Sequence, residues 1–263
     1  MSGFNTAQTK KVTFVLTSCG RIDLLKRTMS SFLKFNTYPI EKYFIIEDSG
    51  NSHVLEELND EFGSFCSILF NNPKLGHLGS VDKVYSLVNS EYIFHCEDDW
   101  EFYRPGFIED ILTVLGSDPK VKHVGIRSIH HEMLIHHERI LYEEWPINIG
   151  GIKCYKAYMA NIEEEDLTGF SFNPTVVRLS DYKLAQKYSF LKNENGISEF
   201  YKEKGFYTVY LENDAVKHIG WDRSTIIERE ERARKHRRSI RVRLSNLVKS
   251  LLNLIGFDLK LVS

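Results

Sequence analysis

The sequence predicts an α/β fold, with a mostly parallel β-sheet flanked by helices and a basic, amphipathic helical tail after it. Three observations carry that prediction. Short β-branched apolar runs alternate with stretches of helical periodicity through the first half. Each run ends in a polar or Gly-containing turn. The composition, 42% apolar and 27% charged over 263 residues, is that of a globular chain with ample core material and excludes a disordered or fibrous one.

The elements follow in order. Val12–Ser18 (VTFVLTS) reads as a buried strand, punctuated by Gly20. Ile22–Phe35 places Ile22, Leu25, Met29, Phe32 and Leu33 on one helical face. Tyr43–Ile46 is a second strand, stopped by Glu47-Asp48-Ser49-Gly50, and Val54–Phe62 a second helix. Ser67–Phe70 is a third strand, followed by a loop rich in Asn, Pro and Gly (71–79) and a helix from Ser80 to Val88. Tyr92–Cys96 is a fourth strand running directly into Glu97-Asp98-Asp99-Trp100. Strands separated by helices pair in parallel, and ligands of such sheets sit beyond the carboxyl ends of the strands. Thr17, Ser18, Arg21, Asp48 and residues 97–99 would converge there.

The second half is less regular. Val121–Ile126 is expected as a strand, Ile147–Ala157 as a strand or hairpin, and Asp181–Tyr188 and Gly196–Lys204 as helices. Gly205 caps the last of these, and Tyr207–Leu211 is a further strand. The organisation expected is a catalytic domain over 1–221, with one half at about 11–104 and another at about 105–221, and a tail over 222–263.

No apolar run reaches the roughly 18 residues of a spanning helix. The polar start MSGFNTAQTKK lacks the apolar run of a secretory signal, which points to the cytoplasm. Cys19, Cys66, Cys96 and Cys154 form no CxxC pair, against a disulfide framework or a zinc ribbon. The net charge of −2 hides a division: residues 222–263 hold eleven Lys and Arg against five Asp and Glu, and the remaining 221 hold 23 against 31. An acidic body with a basic tail is not a nucleic-acid binder; it suits an enzyme with a separate anchoring device.

Three consecutive carboxylates at a strand end repel one another unless a cation offsets them. A hard divalent ion takes such oxygen ligands together with substrate phosphates. Taken alone, Glu97-Asp98-Asp99 reads first as a solvated acidic turn capping the next helix; its place at the end of a buried strand reverses that in favour of the metal.

Four pieces in order resemble the inverting nucleotide-sugar glycosyltransferases of the GT-A fold, the large family 2 group. They are VTFVLTSCGRIDLLKRTMSSF, YFIIEDSG, NNPKLGHLGSVDKVYSLV and EYIFHCEDDW, within a resemblance running from Lys11 to about Gly220. The resemblance implies Mn²⁺ or Mg²⁺, a nucleoside diphosphate sugar donor (a UDP-sugar first among them) and a glycan or lipid-linked acceptor. It implies that Asp48 contacts the base or ribose and that Thr17, Ser18 and Arg21 line the nucleotide pocket. Glu97, which stands where the family more often has Asp, and Asp99 match the outer positions of DxD. Asp99 is then the first choice as metal ligand, and Asp98 belongs to the same cluster. Asp82 and Lys83 lie where the family often contacts the donor, with an exposed helix charge as the alternative. Glu194 matches the general base, with Glu199 as competitor. The segment 168–174 matches the floor of the acceptor site, with Trp100 and Trp145 as further ring-stacking candidates. His218 would complete the metal or diphosphate site, helped by Arg223.

His130, His131, His136 and His137 form a second group with no neighbouring Cys or paired carboxylate to support zinc. In the tail, basic residues from Arg229 to Arg243 precede an apolar stripe of Ile240, Leu244, Leu247, Val248, Leu251, Leu252 and Ile255. That pattern suits an anionic membrane surface, on the inner face if peripheral, or docking on the body or a second subunit as a homodimer. Two other functions stay open at this stage. One is a nucleotidyltransferase, for which TSCGRID is a poor phosphate loop; the other is a non-catalytic membrane-associated scaffold.

Overall fold

A computed structural model describes residues 9–128, 141–142, 146–158 and 170–220. They lie almost entirely in the first of the chain's two units, Met1–Ile219. The His130–His137 group, Trp145, Thr168, Gly169, Arg223 and the tail lie outside the described residues.

Strands β1 (Val12–Ser18), β2 (Lys42–Glu47), β3 (Cys66–Phe70) and β4 (Tyr92–Glu97) run parallel, with β1 paired to both β2 and β4. Every residue of β1 is buried, as a central parallel strand requires. Its alternation feeds two cores. Val12, Phe14 and Leu16 pack with Leu25, Met29 and Phe32 of helix α1 (Ile22–Phe35), and Val15 packs with Val81, Val84 and Tyr85 of α3 (His77–Tyr85). Each such side chain contributes on the order of 2 kcal/mol through removal from water. Helix α2 (Ser52–Phe62) connects β2 to β3.

The connections from β1 to β3 step one way across the sheet, and the chain then crosses to place β4 on the other side of β1. The crevice where the order reverses therefore opens between the carboxyl ends of β1 and β4.

Beyond it, β5 (Trp100–Phe102) leads to helix α4 (Phe107–Ser117) and β6 (Val121–Gly125). A second sheet has the order β6-β11-β9-β7, with β8 on β9; its further strands are β7 (Leu141–Tyr142), β8 (Ile147–Ile149), β9 (Ile152–Tyr158) and β11 (Tyr207–Leu211). Strand β10 (Thr175–Arg178) joins the first sheet, antiparallel beside β4, and β12 (Val216–His218) pairs antiparallel with β5.

Several boundaries differ from expectation. Helix α3 begins three residues before Ser80, because Gly76 at φ 77 turns the chain into it. Helix α5 (Leu179–Ala185) stops where Gln186 takes a positive φ, and Tyr188–Leu191 forms a separate 3₁₀ turn. Helix α6 (Glu194–Glu203) starts at Asn193, whose side chain accepts from Gly196 N. It ends at Gly205, whose φ of 74 lets Phe206 N reach Tyr201 O at 3.1 Å. Among the described residues no helix is long and apolar enough to cross a membrane.

Candidate functional site

The β1–β4 crevice holds the acidic turn. Asp98 is fully buried, and its Oδ2 accepts from Ser18 Oγ at 2.9 Å and from Arg21 Nε at 3.3 Å. The Arg21 guanidinium also bonds Asp98 Oδ1, and Arg21 Nη1 lies 2.8 Å from Asp99 Oδ2. Arg21 therefore forks across two adjacent carboxylates from the position just before α1. Thr28 Oγ1, one and a half turns into α1, donates to Asp98 O at 2.8 Å and accepts from Trp100 N at 3.1 Å. Helix α1 thus fixes the turn at both its side chains and its backbone. Thr17 is buried on β1, in register with Glu97 of β4.

From the other side, His218 on β12 places Nε2 3.2 Å from Asp99 Oδ2 and packs tilted against Trp100, 4.9 Å between centroids. His77, at the start of α3, approaches Glu97 Oε1 at 3.7 Å. These surroundings separate the three acids electrostatically. Burial, followed by repulsion from Asp99, Glu194 and Asp98, holds Glu97 well above the ordinary carboxylate range. Burial pushes Asp98 up to about 6, against the pull of Arg21. Burial works the same way on Asp99, but the His218 hydrogen bond and the Arg21 charge outweigh it and hold Asp99 low.

At the end of β2, Asp48 organises a loop. Its Oδ1 accepts from Leu75 N at 2.7 Å and Asn71 Nδ2 at 2.9 Å, and its Oδ2 from Gly76 N at 2.9 Å. Its neighbour Glu47 is buried and accepts from Ser49 N on Oε1 at 2.7 Å, while its Oε2 has no hydrogen-bond partner among the described residues. Sequence reasoning missed Glu47. Two adjacent acids at a strand end look equivalent until the loop that engages one of them is known.

Asp82 and Lys83 sit apart from the acidic turn. Asp82 is buried and accepts from Tyr182 Oη at 2.9 Å, Tyr188 N at 2.8 Å and Ser189 N at 3.0 Å. It anchors α5 and the 3₁₀ turn to α3. Lys83 Nζ donates to Asn71 Oδ1 at 2.6 Å and so braces the Asp48 loop from behind.

Glu194 is the first residue of α6, and its Oε1 accepts from Phe172 N at 2.8 Å. Phe172 packs in turn on His77, which approaches Glu97, and this chain of contacts links the start of α6 to the acidic turn. Glu199, one turn further on, is exposed. The aromatics expected as stacking surfaces are core instead: Trp100 is 1% exposed, Phe170 7% and Phe172 2%. Phe172 packs against His77 at 4.5 Å and carries the backbone N–H that holds Glu194.

Among the described residues, no three His, Cys, Asp or Glu side chains converge as a ready-made metal cage. The donor set nonetheless fits Mg²⁺ or Mn²⁺, which bind through one or two carboxylates and complete their shell with substrate phosphates and water. Asp99 Oδ1 is buried and accepts no hydrogen bond from the described residues, while Oδ2 is held by Arg21 and His218. One oriented oxygen is thus left over, which a cation would satisfy.

No family model and no curated protein matches the chain. Solved structures do. GalNAc-T7, crystallised with UDP, GalNAc and Mn²⁺, aligns at a TM-score of 0.57 and 11% identity, over 81% of this chain and 44% of that one. TarS from S. aureus aligns at 0.49 and 11% identity, over 80% of this chain and 60% of that one. The mannosyltransferase PcManGT from Pyrobaculum calidifontis, with GDP-Man and Mn²⁺, aligns at 0.40 and 10% identity, over 49% and 39%. This chain spans less than two thirds of each. At these identities the likeness is one of fold, and the fold is GT-A, a mainly parallel sheet with helices on both faces and an acidic turn at its switch point.

Proposed function

We propose that this protein is a metal-dependent glycosyltransferase that moves a sugar from a nucleoside diphosphate to a hydroxyl of a glycan or lipid-linked acceptor, with inversion. The observation that carries this reading is the acidic turn: Asp99 holds one buried oxygen that no described residue pairs, in the crevice that contacts link to Glu194. The presence of UDP, GalNAc and Mn²⁺ in GalNAc-T7, a protein of similar fold, supports the donor class.

In this reading Asp99 would hold the cation, with Glu97 and His218 as its neighbours, and the bound ion would supply positive charge to offset that of the departing nucleoside diphosphate. Arg21 keeps Asp98 and Asp99 in place and supplies positive charge next to the diphosphate. Thr17 and Ser18 line the nucleotide side of the crevice. Asp48 would bound the base and ribose side of the crevice, its Oδ1 fixing the loop through two hydrogen bonds and its Oδ2 keeping acceptor capacity beyond its one bond to Gly76 N. Glu194 takes the proton of the acceptor hydroxyl as it attacks the anomeric carbon, and the Phe172 N–H holds the carboxylate in place for it.

The basic, amphipathic tail would bring the enzyme to the cytoplasmic membrane face, where a lipid-linked acceptor for cell-surface polysaccharide would lie. Co-sedimentation with phosphatidylglycerol vesicles tests this. Loss of binding on truncation after 221 is expected, and equal binding would overturn it.

The central test is thermal stabilisation by UDP, GDP, CDP and dTDP, each with and without Mn²⁺. One nucleotide should stabilise only with the metal, and Asp99→Asn should abolish the effect. Stabilisation by no pair would remove the donor site and return the scaffold reading.

A further inference from the structure

A cavity of about 270 Å³ lies on the second sheet, at the amino ends of β6 and β11 and against the later turns of α6. It shares no residue with the acidic turn. Its lining is unusual in charge. Lys122, Lys156 and Lys202 all contribute to it, and no carboxylate does among the described residues. The remaining wall is largely aromatic, with Phe170, Tyr201 and Tyr207, and the hydroxyls of Ser198 and Thr208 supply neutral polar groups.

Lys122 is the second observation. It is 3% exposed, and its Nζ has no hydrogen-bond partner among the described residues. It lies over ring faces, 4.4 Å from the Tyr201 centroid and 5.8 Å from that of Phe170, and the charge of Asp181 favours its ammonium without bonding it. Burial pushes its ammonium down to about 8, so at neutral pH most of it is still charged. A buried ammonium with three donors and no acceptor is costly, and a cation–π contact offsets only part of that cost. Native interiors retain such a group where something supplies the missing acceptor. Lys156, over Tyr207 at 4.9 Å, adds a second cation at the wall.

From these observations we infer that the cavity is a binding site for a small organic anion carrying a single ring. The lysines select the anionic group, the aromatic walls select the ring, and the volume, just below that of drug-sized sites, limits the body to about one ring. The cavity lies on α6 one turn and more beyond Glu194, where Ser198 Oγ accepts from Phe170 N at 3.1 Å just as Glu194 accepts from Phe172 N.

Calorimetric titration of the full chain with phenyl phosphate and with benzoate tests the site and separates phosphoryl from carboxylate preference. Inorganic phosphate and benzyl alcohol serve as the anion without a ring and the ring without charge. At least one ring-bearing anion should saturate a single site, with both controls about tenfold weaker or more. Lys122→Met, which keeps the apolar stem, should weaken binding about tenfold. Lys202→Glu, on an exposed position, should weaken it in the same direction without affecting folding and serves if Lys122→Met does not fold. Three results overturn the inference: no saturable binding by either anion, equal affinity in wild type and both variants, or displacement by UDP with Mn²⁺.

Discussion

Arg21 Nη1 lies 2.8 Å from Asp99 Oδ2 while the same guanidinium bonds both oxygens of Asp98, so one cation is shared by two adjacent carboxylates. The residue just before α1 supplies that cation, and the turn after β4 supplies the acids. The local charge that the sequence leaves to a bound cation or to solvent is thus partly offset by the protein.

Arg21→Met should therefore cost stability before it costs anything else. Removing one partner of a buried ion pair leaves charge uncompensated, at on the order of 3 kcal/mol. Urea unfolding of the metal-free protein should show this loss, and added Mn²⁺ should restore part of it. A variant as stable as wild type would mean the acids need no partner.

Asp98 makes the acidic turn pH-sensitive. Its folded value of about 6 lies above that of an unfolded aspartate, so folding takes up a proton there. The sign follows: the contribution is fully present below about pH 4 and is lost as pH rises through 6. Relative to Asp98→Asn, wild type should lose roughly 2 to 3 kcal/mol of unfolding free energy between pH 4 and 7. Paired urea titrations at those two pH values measure the difference. A relative gain over the same range would contradict the order of burial over pairing at this carboxyl.

The strands β1 to β4 and the acidic turn were legible because each rests on local pattern: β-branched apolar runs, and three acids at the end of one of them. What was not legible rests on distant partners. Strand β10 pairs with β4 from about eighty residues further along the chain, Thr175 opposite His95, and nothing within TVVR announces it. Trp100 reads as a candidate surface for a sugar, yet β12 and Arg127 close over it. Glu47 and Asp48 are adjacent acids at one strand end, and only the course of the Asn71–Gly76 loop decides which keeps a free oxygen.

Asp82 is the sharpest of these cases. Its place on a helix after the Gly-containing loop suggests a donor contact, but its three acceptor bonds go to Tyr182, Tyr188 and Ser189, about a hundred residues away in sequence. Asp82→Asn turns one acceptor into a donor facing backbone N–H groups. It should cost about 2 to 4 kcal/mol in urea unfolding while nucleotide affinity at saturating fold stays within about twofold. A loss of affinity at unchanged stability would restore the donor role.

Glu194 and Glu199 separate by position on one helix. Glu194 begins α6, held through Phe172 N at 2.8 Å and close enough to Glu97 to raise its carboxyl, whereas Glu199 is exposed. A general base contributes about 10² to 10⁴ in rate. Glu194→Gln keeps an oxygen to accept from Phe172 and removes only basicity, so kcat for sugar transfer should fall by that factor at little change in KM for the donor. Glu199→Gln should leave both parameters unchanged. If Glu199→Gln carries the loss instead, the base is reached from the exposed face of α6 and the acceptor enters on that side.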